Sequence, residues 1–162
     1  MKKLIVFVMA ATLIGVSGPA FAASSANQTV TYQVQAINEI SVSGNPGALI
    51  VSAATAGSQP TVATDATTTY SITTNGSSKK ITGVLNSVMP DNTTLKINLT
   101  APTGGTSSGQ VTLTATAQDL VTSISGLAQS GLSIGYEFSA TLSAGIIASA
   151  QKTVTLTVAD GV

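Results

Sequence analysis

Two stretches decide the fold, LSIGYEFSA at residues 132–140 and TVTLTV at residues 153–158. In the first, apolar side chains occupy nearly every second position, and in the second Val154, Leu156 and Val158 alternate with threonines. Successive side chains of a β-strand point to opposite faces of a sheet, so this spacing gives each strand one apolar and one polar face. Both stretches therefore predict strands that are buried on one side only.

Further alternating runs upstream predict an all-β domain. Apolar residues recur at alternate positions in segments 30–42, 68–74, 81–85, 95–101 and 111–115. Turn signals separate these runs at intervals of about ten residues, and no long helical period interrupts them. We therefore predict a two-sheet antiparallel β-sandwich of roughly seven or eight strands, with an immunoglobulin-like architecture that lacks the hallmark Cys and Trp of antibody domains.

The first residues have the features of an export signal. Two lysines precede the apolar run Leu4–Val16, and Ala20-Phe21-Ala22 follows as a small-x-small cleavage site. The apolar run is shorter than the roughly 20 residues that span a bilayer as a helix. We expect residues 1–22 to be a cleaved signal peptide and residues 23–162 to form one domain. The expected location is extracellular, at the cell surface or in the periplasm, and the style of the signal is bacterial.

Charge and cysteine content exclude several classes of function. Without Lys2 and Lys3, four lysines stand against six acidic residues, a net charge of −2, and the chain has no Arg, His or Cys. Nucleic-acid binding requires a basic surface, so we expect no nucleic-acid partner. Disulfides, thiolate metal sites and the commonest general bases are also missing. We therefore expect no cofactor, and no membrane span in the mature chain.

Two connections carry specific predictions. Asn75-Gly76 is a strong hairpin signal because both residue types tolerate positive φ, so segments 68–74 and 81–85 should pair as a hairpin. Residues 118–127 place apolar side chains at helical spacing but also contain β-branched residues and a glycine. For that segment we predict a loop with at most one helical turn.

The carboxylates provide two chemical candidates. A hydrolase acting on glycosides needs two carboxylates across a cleft, and Glu39 and Glu137 are the candidate pair, although their phase favours solvent-facing positions. Calcium would need clustered loop oxygens, and Asp91-Asn92 and Asp119 fall in predicted loops without a dense acidic cluster. We therefore predict no catalytic residue and no metal site, and interpret the protein as a non-enzyme.

An extracellular carbohydrate- or ligand-binding module is the alternative function. Such a module would be expected to present an exposed aromatic platform, since aromatic rings combine a large apolar area with a polar tip. The aromatic residues after the signal, Tyr32, Tyr70, Tyr136 and Phe138, all lie in phase with predicted core faces. This phase favours a structural role over recognition of a small ligand.

The N-terminal alternating segment is the candidate assembly strand. Val30, Tyr32, Val34 and Ala36 carry its apolar face, and Asn38 interrupts that face, so we expect a kink near residues 37–39. Such a strand either closes its own sandwich, which is the default, or adds to the sheet of a neighbouring molecule by main-chain hydrogen bonds. The last strand is the natural partner edge.

In this layout the chain resembles bacterial fimbrial subunits, which assemble by donor-strand exchange. The resemblance covers the terminal strands and a charge-poor composition in which Ser and Thr supply roughly three in ten residues after the signal. The paired Cys and the C-terminal aromatic residue of the chaperone-assembled family are absent. The resemblance implies a structural or adhesive protein that associates with itself or with another surface protein.

Overall fold

The computed structural model describes residues 24–161 and divides the chain into two units, residues 1–33 and residues 34–162. In the first unit, residues 24–33 are exposed and contain no helix or strand. The predicted signal peptide, residues 1–22, lies outside the described residues. Within residues 24–161, no helix is both long and apolar enough to cross a bilayer.

The second unit is a two-sheet antiparallel β-sandwich, which confirms the predicted fold class. Its described part contains nine strands, and a turn of 3-10 helix, Leu142–Ala144, follows the eighth. The strands are β1 (Asn38–Val42), β2 (Ala63–Thr74), β3 (Lys79–Leu85), β4 (Thr93–Leu99), β5 (Thr106–Ser107), β6 (Gln110–Thr112), β7 (Gln118–Ile124), β8 (Leu127–Ala140) and β9 (Val154–Asp160). One sheet has the order β1-β2-β8-β4-β6 and the other the order β5-β7-β3-β9.

Strand β8 is the middle strand of the larger sheet and pairs with β2 on one side and β4 on the other. Its inward residues Leu132 and Ile134 are buried, with Tyr70 opposite Leu132 and Leu99 opposite Ile134. Residues 134–138 of β8 have a partner strand on each side, so their main-chain groups enter ladders while the apolar face enters the core. The first of the two deciding stretches therefore forms the centre of the larger sheet.

Tyr70 is buried in this core with its hydroxyl group satisfied. The hydroxyl donates a hydrogen bond of 2.6 Å to the backbone oxygen of Thr100. Burial raises the pKa of Tyr70 to about 12. The aromatic ring thus adds apolar area to the core without leaving an unpaired donor, and its hydroxyl ties β2 to the segment after β4.

The predicted hairpin at Asn75-Gly76 is wrong. β2 and β3 belong to different sheets, so the connection crosses from one layer to the other. Neither residue adopts a positive φ, and the next residue that does is Ser78, with φ 50°. The side chain of Asn75 instead forms hydrogen bonds with the main chain just before β1.

Residues 118–124 form strand β7 rather than the predicted loop. The register against β3 shifts twice, pairing Ile124 with Lys79, Val121 with Ile81 and Asp119 with Thr82. Each shift is a bulge that inserts one residue and changes which side chains face inward. Leu120 and Val121 are consequently both buried, together with Ile124. The apolar residues of this segment are spaced as in a helical turn because the strand is bulged.

The predicted strand at residues 30–36 does not form, because these residues adopt no regular secondary structure. Regular pairing begins at Asn38, the first residue of β1, and no strand precedes it in the described part of the chain. Asn38 was expected to interrupt the strand, but its Oδ1 accepts a hydrogen bond of 2.7 Å from the hydroxyl of Thr74. A polar residue is therefore stable at this position because it binds its cross-strand partner.

A first prediction concerns Thr68, an inward-facing residue of β2. Thr68 is only 5% exposed, and its hydroxyl oxygen has no hydrogen-bond partner among residues 24–161. A buried unpaired hydroxyl costs roughly 1–3 kcal/mol, so Thr68→Val should raise the free energy of unfolding by about 1 kcal/mol in urea denaturation. The same change at exposed Thr155 should alter it by no more than about 0.5 kcal/mol. A loss of stability in Thr68→Val would contradict the assignment of an unpaired hydroxyl.

Candidate assembly segment and sheet edge

The candidate assembly residues are exposed. Val30, Tyr32 and Val34 are 72%, 90% and 81% exposed, and Ala36 is exposed as well. The expectation that Tyr32 faces the core is therefore wrong, because its side chain is exposed and its segment pairs with no strand among residues 24–161. Single exposed apolar side chains are ordinary, whereas a periodic series of them in one segment is typical of an interaction surface.

The side chain of Asn75 holds the chain just before β1. Its Oδ1 accepts a hydrogen bond of 2.9 Å from the backbone N–H of Ile37, and its Nδ2 donates one of 2.8 Å to the backbone oxygen of Gln35. The backbone N–H of Asn75 also donates to the oxygen of Ile37, at 3.2 Å. A carboxamide carries both a donor and an acceptor, so this side chain continues the main-chain pairing of β1 and β2 by one further step.

The second candidate element, β9, is the outer strand of the four-stranded sheet. Its register with β3 is regular along the whole strand. Its inward residues Val154, Leu156 and Val158 are only half-buried, whereas the inward residues Ile81 and Leu85 of β3 are 0% and 2% exposed. The predicted outward threonines 153, 155 and 157 are exposed. The core is therefore less well covered along β9 than along β3.

Edge strands in soluble proteins are normally protected by charges, Pro, bulges or short length. β9 spans seven residues and contains no Pro. Its single charged residue, Asp160, lies at the end of the strand and forms an ion pair with Lys79 of β3. The stretch from Val154 to Ala159 thus presents an edge without these protective features.

The two carboxylates considered for hydrolysis do not meet. Glu39 lies opposite Thr73 of β2, and Glu137 lies opposite Thr64 of the same strand. Nine residues along a strand correspond to about 30 Å, far more than the roughly 5–10 Å between the carboxylates of glycosidases. The candidate pair therefore cannot act on one bond.

A different pair, Asp65 and Glu137, lines a shallow depression on the larger sheet. Glu137 accepts hydrogen bonds from Gln110 at 2.8 Å and Lys96 at 3.3 Å, and these contacts lower the pKa of its carboxyl group. The backbone N–H of Thr67 lowers the pKa of Asp65 in the same way. Both carboxyl groups are held in the charged form, and neither is poised as the protonated acid that glycoside hydrolysis needs.

The same depression is small for a ligand site. Its volume is about 270 Å³, below the roughly 300–1,000 Å³ of typical small-molecule sites. Its carboxylates already bind neighbouring side chains and main-chain groups. The buried Tyr70 and the partly buried Tyr136 and Phe138 do not form an exposed aromatic platform.

The predicted loop position of Asp119 is wrong, because this residue belongs to β7. Its carboxylate pairs with Lys80 at 3.0 Å. Asp91 lies in the turn before β4, where the backbone N–H of Thr93 donates to the oxygen of Pro90 at 3.2 Å. In the part of the chain that the structure describes, acidic side chains form no cluster of three that could hold a metal ion.

Comparison with known proteins assigns no relative: no family model, curated protein or solved structure matches the chain. The functional interpretation therefore rests on the exposed segment, its Asn75 contacts and the β9 edge. Sequence periodicity located the segment and the edge. It missed the role of Asn75, because an Asn-Gly pair between two alternating runs is typical of a hairpin turn.

A second prediction tests the Asn75 contacts. Asn75→Ala removes two side-chain hydrogen bonds, each contributing about 1 kcal/mol, so the free energy of unfolding should fall by about 1–2 kcal/mol. The amide hydrogen of Ile37 should also exchange much faster with deuterium, as measured by NMR. Asn45→Ala, at an exposed position before β2, is the matched control and should change neither quantity. Unchanged protection of Ile37 in Asn75→Ala would show that the side chain does not hold this segment.

A third prediction follows from the lowered pKa of Glu137. A carboxyl group whose pKa is lower in the folded state stabilises the fold above its unfolded pKa, near 4.5, and this contribution disappears as pH falls through the folded pKa. Acidification from pH 6 to 3 should therefore lower the thermal midpoint of the wild type more than that of Glu137→Gln. Gln110→Ala removes the largest cause of the shift and should also reduce the acid-induced decrease. Equal decreases in all three proteins would contradict the assigned contacts.

Proposed function

We propose that the protein is a secreted or surface-exposed structural or adhesive subunit that assembles through residues Val30–Ala36. The observation that carries this proposal is the exposure of Val30, Tyr32 and Val34 at alternate positions outside any strand. An extended segment of this kind is suited to strand addition, in which main-chain hydrogen bonds provide affinity and alternate side chains fill pockets. A fimbria-like subunit uses this mode of assembly.

The free energy of burial supports association through this segment. Complete burial of a large apolar side chain contributes roughly 1.5–3 kcal/mol, so three such residues are a substantial driving force even after the cost of ordering the segment. The charge balance does not oppose association, because the chain after residue 22 carries a net charge of only −2. Association with a second copy of the chain is therefore favoured over association with a strongly charged partner.

Export is the second part of the proposal. The basic and apolar residues before Ala23 are typical of a bacterial signal peptide. A Ser/Thr-rich sandwich without Cys does not depend on disulfide formation after export, since its stability comes from packing and sheet hydrogen bonds. These features support a role outside the cytoplasm, at the cell surface or in the extracellular medium.

A fourth prediction tests assembly directly. Changing Val30, Tyr32 and Val34 together to Ser removes the apolar face and leaves the main chain intact. Light scattering should show oligomers for the wild type and only monomers for this triple variant, and electron microscopy should show fibres for the wild type alone. The triple variant loses the hydrophobic contribution of the replaced side chains, about 1.5–3 kcal/mol for each fully buried residue.

The matched control carries Ser at the intervening polar positions Thr29, Thr31 and Gln33. It retains the apolar face and should assemble like the wild type. Circular dichroism should show the same strand content in all three proteins, because residues 24–37 belong to no strand. A wild type that stays monomeric at high concentration, or a triple variant that still assembles, would refute the proposed function.

A further inference from the structure

We propose that the free edge of β9 is the acceptor, and that residues Val30–Ala36 of a second copy pair with it as an antiparallel strand. This inference rests on the proposed function and specifies the surface that receives the segment. It joins two features of the same chain, an alternating apolar segment that pairs with no described strand and an edge strand whose apolar face is incompletely buried.

The hydrogen bonds at the two ends of β9 identify the residues that face its free edge. The oxygen of Thr153 accepts a hydrogen bond of 3.0 Å from Asn86, and the N–H of Gly161 donates one of 2.7 Å to Ser78. Main-chain groups alternate in direction along a strand, so odd-numbered residues of β9 point toward β3. The N–H and C=O groups of the even-numbered residues Val154, Leu156 and Val158 therefore point to the free edge.

The Asn75 contacts define the corresponding edge of the donor segment. Gln35 and Ile37 direct their main-chain groups to Asn75. When the segment is extended, the groups of the even-numbered residues point to the opposite edge and remain available for pairing. Their side chains are the apolar ones and share one face. The donor thus combines free main-chain groups and apolar side chains on the same residues, as β9 does.

The even-numbered residues of the donor segment and those of β9 can pair with each other in an antiparallel ladder. Residues that exchange both hydrogen bonds across such a ladder have their side chains on the same face. Pairing the even-numbered residues of Val30–Ala36 with those of β9 therefore places all of these side chains over the half-covered core. The lengths also agree, since each element spans seven residues, or about 23 Å of extended chain.

The other sheet edges fit the donor less well. β5 and β6 span two and three residues. Next to β6 the chain joins both sheets, because Leu113 donates to the oxygen of Leu95 and the oxygen of Thr114 accepts from Leu85. β1 has only five residues and includes the charged Glu39. β9 therefore provides the longest edge and the most apolar inward face.

Single cysteines can test this pairing because the protein contains no Cys. One copy carries Gln33→Cys on the polar face of the donor, and a second copy, enlarged by a fused tag, carries Thr153→Cys, Thr155→Cys or Thr157→Cys on the outward face of β9. Odd-numbered pairs are the non-hydrogen-bonded pairs of the ladder, with Cβ atoms about 4.5–5.5 Å apart, near disulfide distance. Ser41→Cys, on the outward face of β1, is the control acceptor.

Mild oxidation of mixed copies should give a disulfide-linked heterodimer with at least one of the three β9 cysteines and none with Ser41→Cys. Adding the Val30, Tyr32 and Val34 to Ser changes to the donor should abolish this product. Heterodimer with Ser41→Cys alone, or oligomers that cross-link at none of the β9 positions, would overturn β9 as the acceptor while assembly itself stands. A monomeric disulfide in the double variant Gln33→Cys/Thr155→Cys, with no oligomers on sizing, would overturn both proposals, because the segment would then close its own sandwich.

Discussion

Burial of one face of β8 is the constraint on which the sandwich depends. Its neighbours β2 and β4 pair with it on both sides over residues 134–138, and its inward side chains belong to the core cluster. A domain of about 140 residues buries roughly two-thirds of its unfolded surface, enough to be stable without disulfides when the core is continuous. Among residues 24–161 the buried polar residues are Thr68 and Thr74 of the neighbouring strand β2, and Thr74 is paired with Asn38.

The sequence predicted strand positions well because alternation reports directly on one-sided burial. It gave the strands around Tyr70, Ile97, Ile134 and Leu156, and the two-layer architecture. It did not give the sheet to which each strand belongs. An Asn-Gly pair between two alternating runs fits a hairpin and a crossing between layers equally well, and only the contacts of Asn75 with the chain before β1 distinguish them.

Bulges account for the failure to predict strand β7. At β7 the two extra residues shift the inward phase, so consecutive Leu120 and Val121 are both buried and period-two alternation disappears from the sequence. A bulge depends on the partner strand, and no local pattern specifies it. Of the candidate site, the apolar segment and the terminal edge strand were predictable from the sequence. The Asn75 contacts and the half-burial of β9 depend on residues distant in sequence, so no local pattern specifies them.

The proposed pairing of donor and acceptor also implies a particular form of assembly. The segment of residues 30–36 and the edge of β9 are different surfaces of one chain, so a contact between them is heterologous: it uses one surface on each copy and leaves the other free. Repetition of such a contact gives a closed ring or an open filament, whereas a symmetric dimer would need one self-complementary patch. A chain that pairs its own N-terminal segment with the β9 edge of the next copy therefore grows by repetition, which is the behaviour expected of a structural subunit.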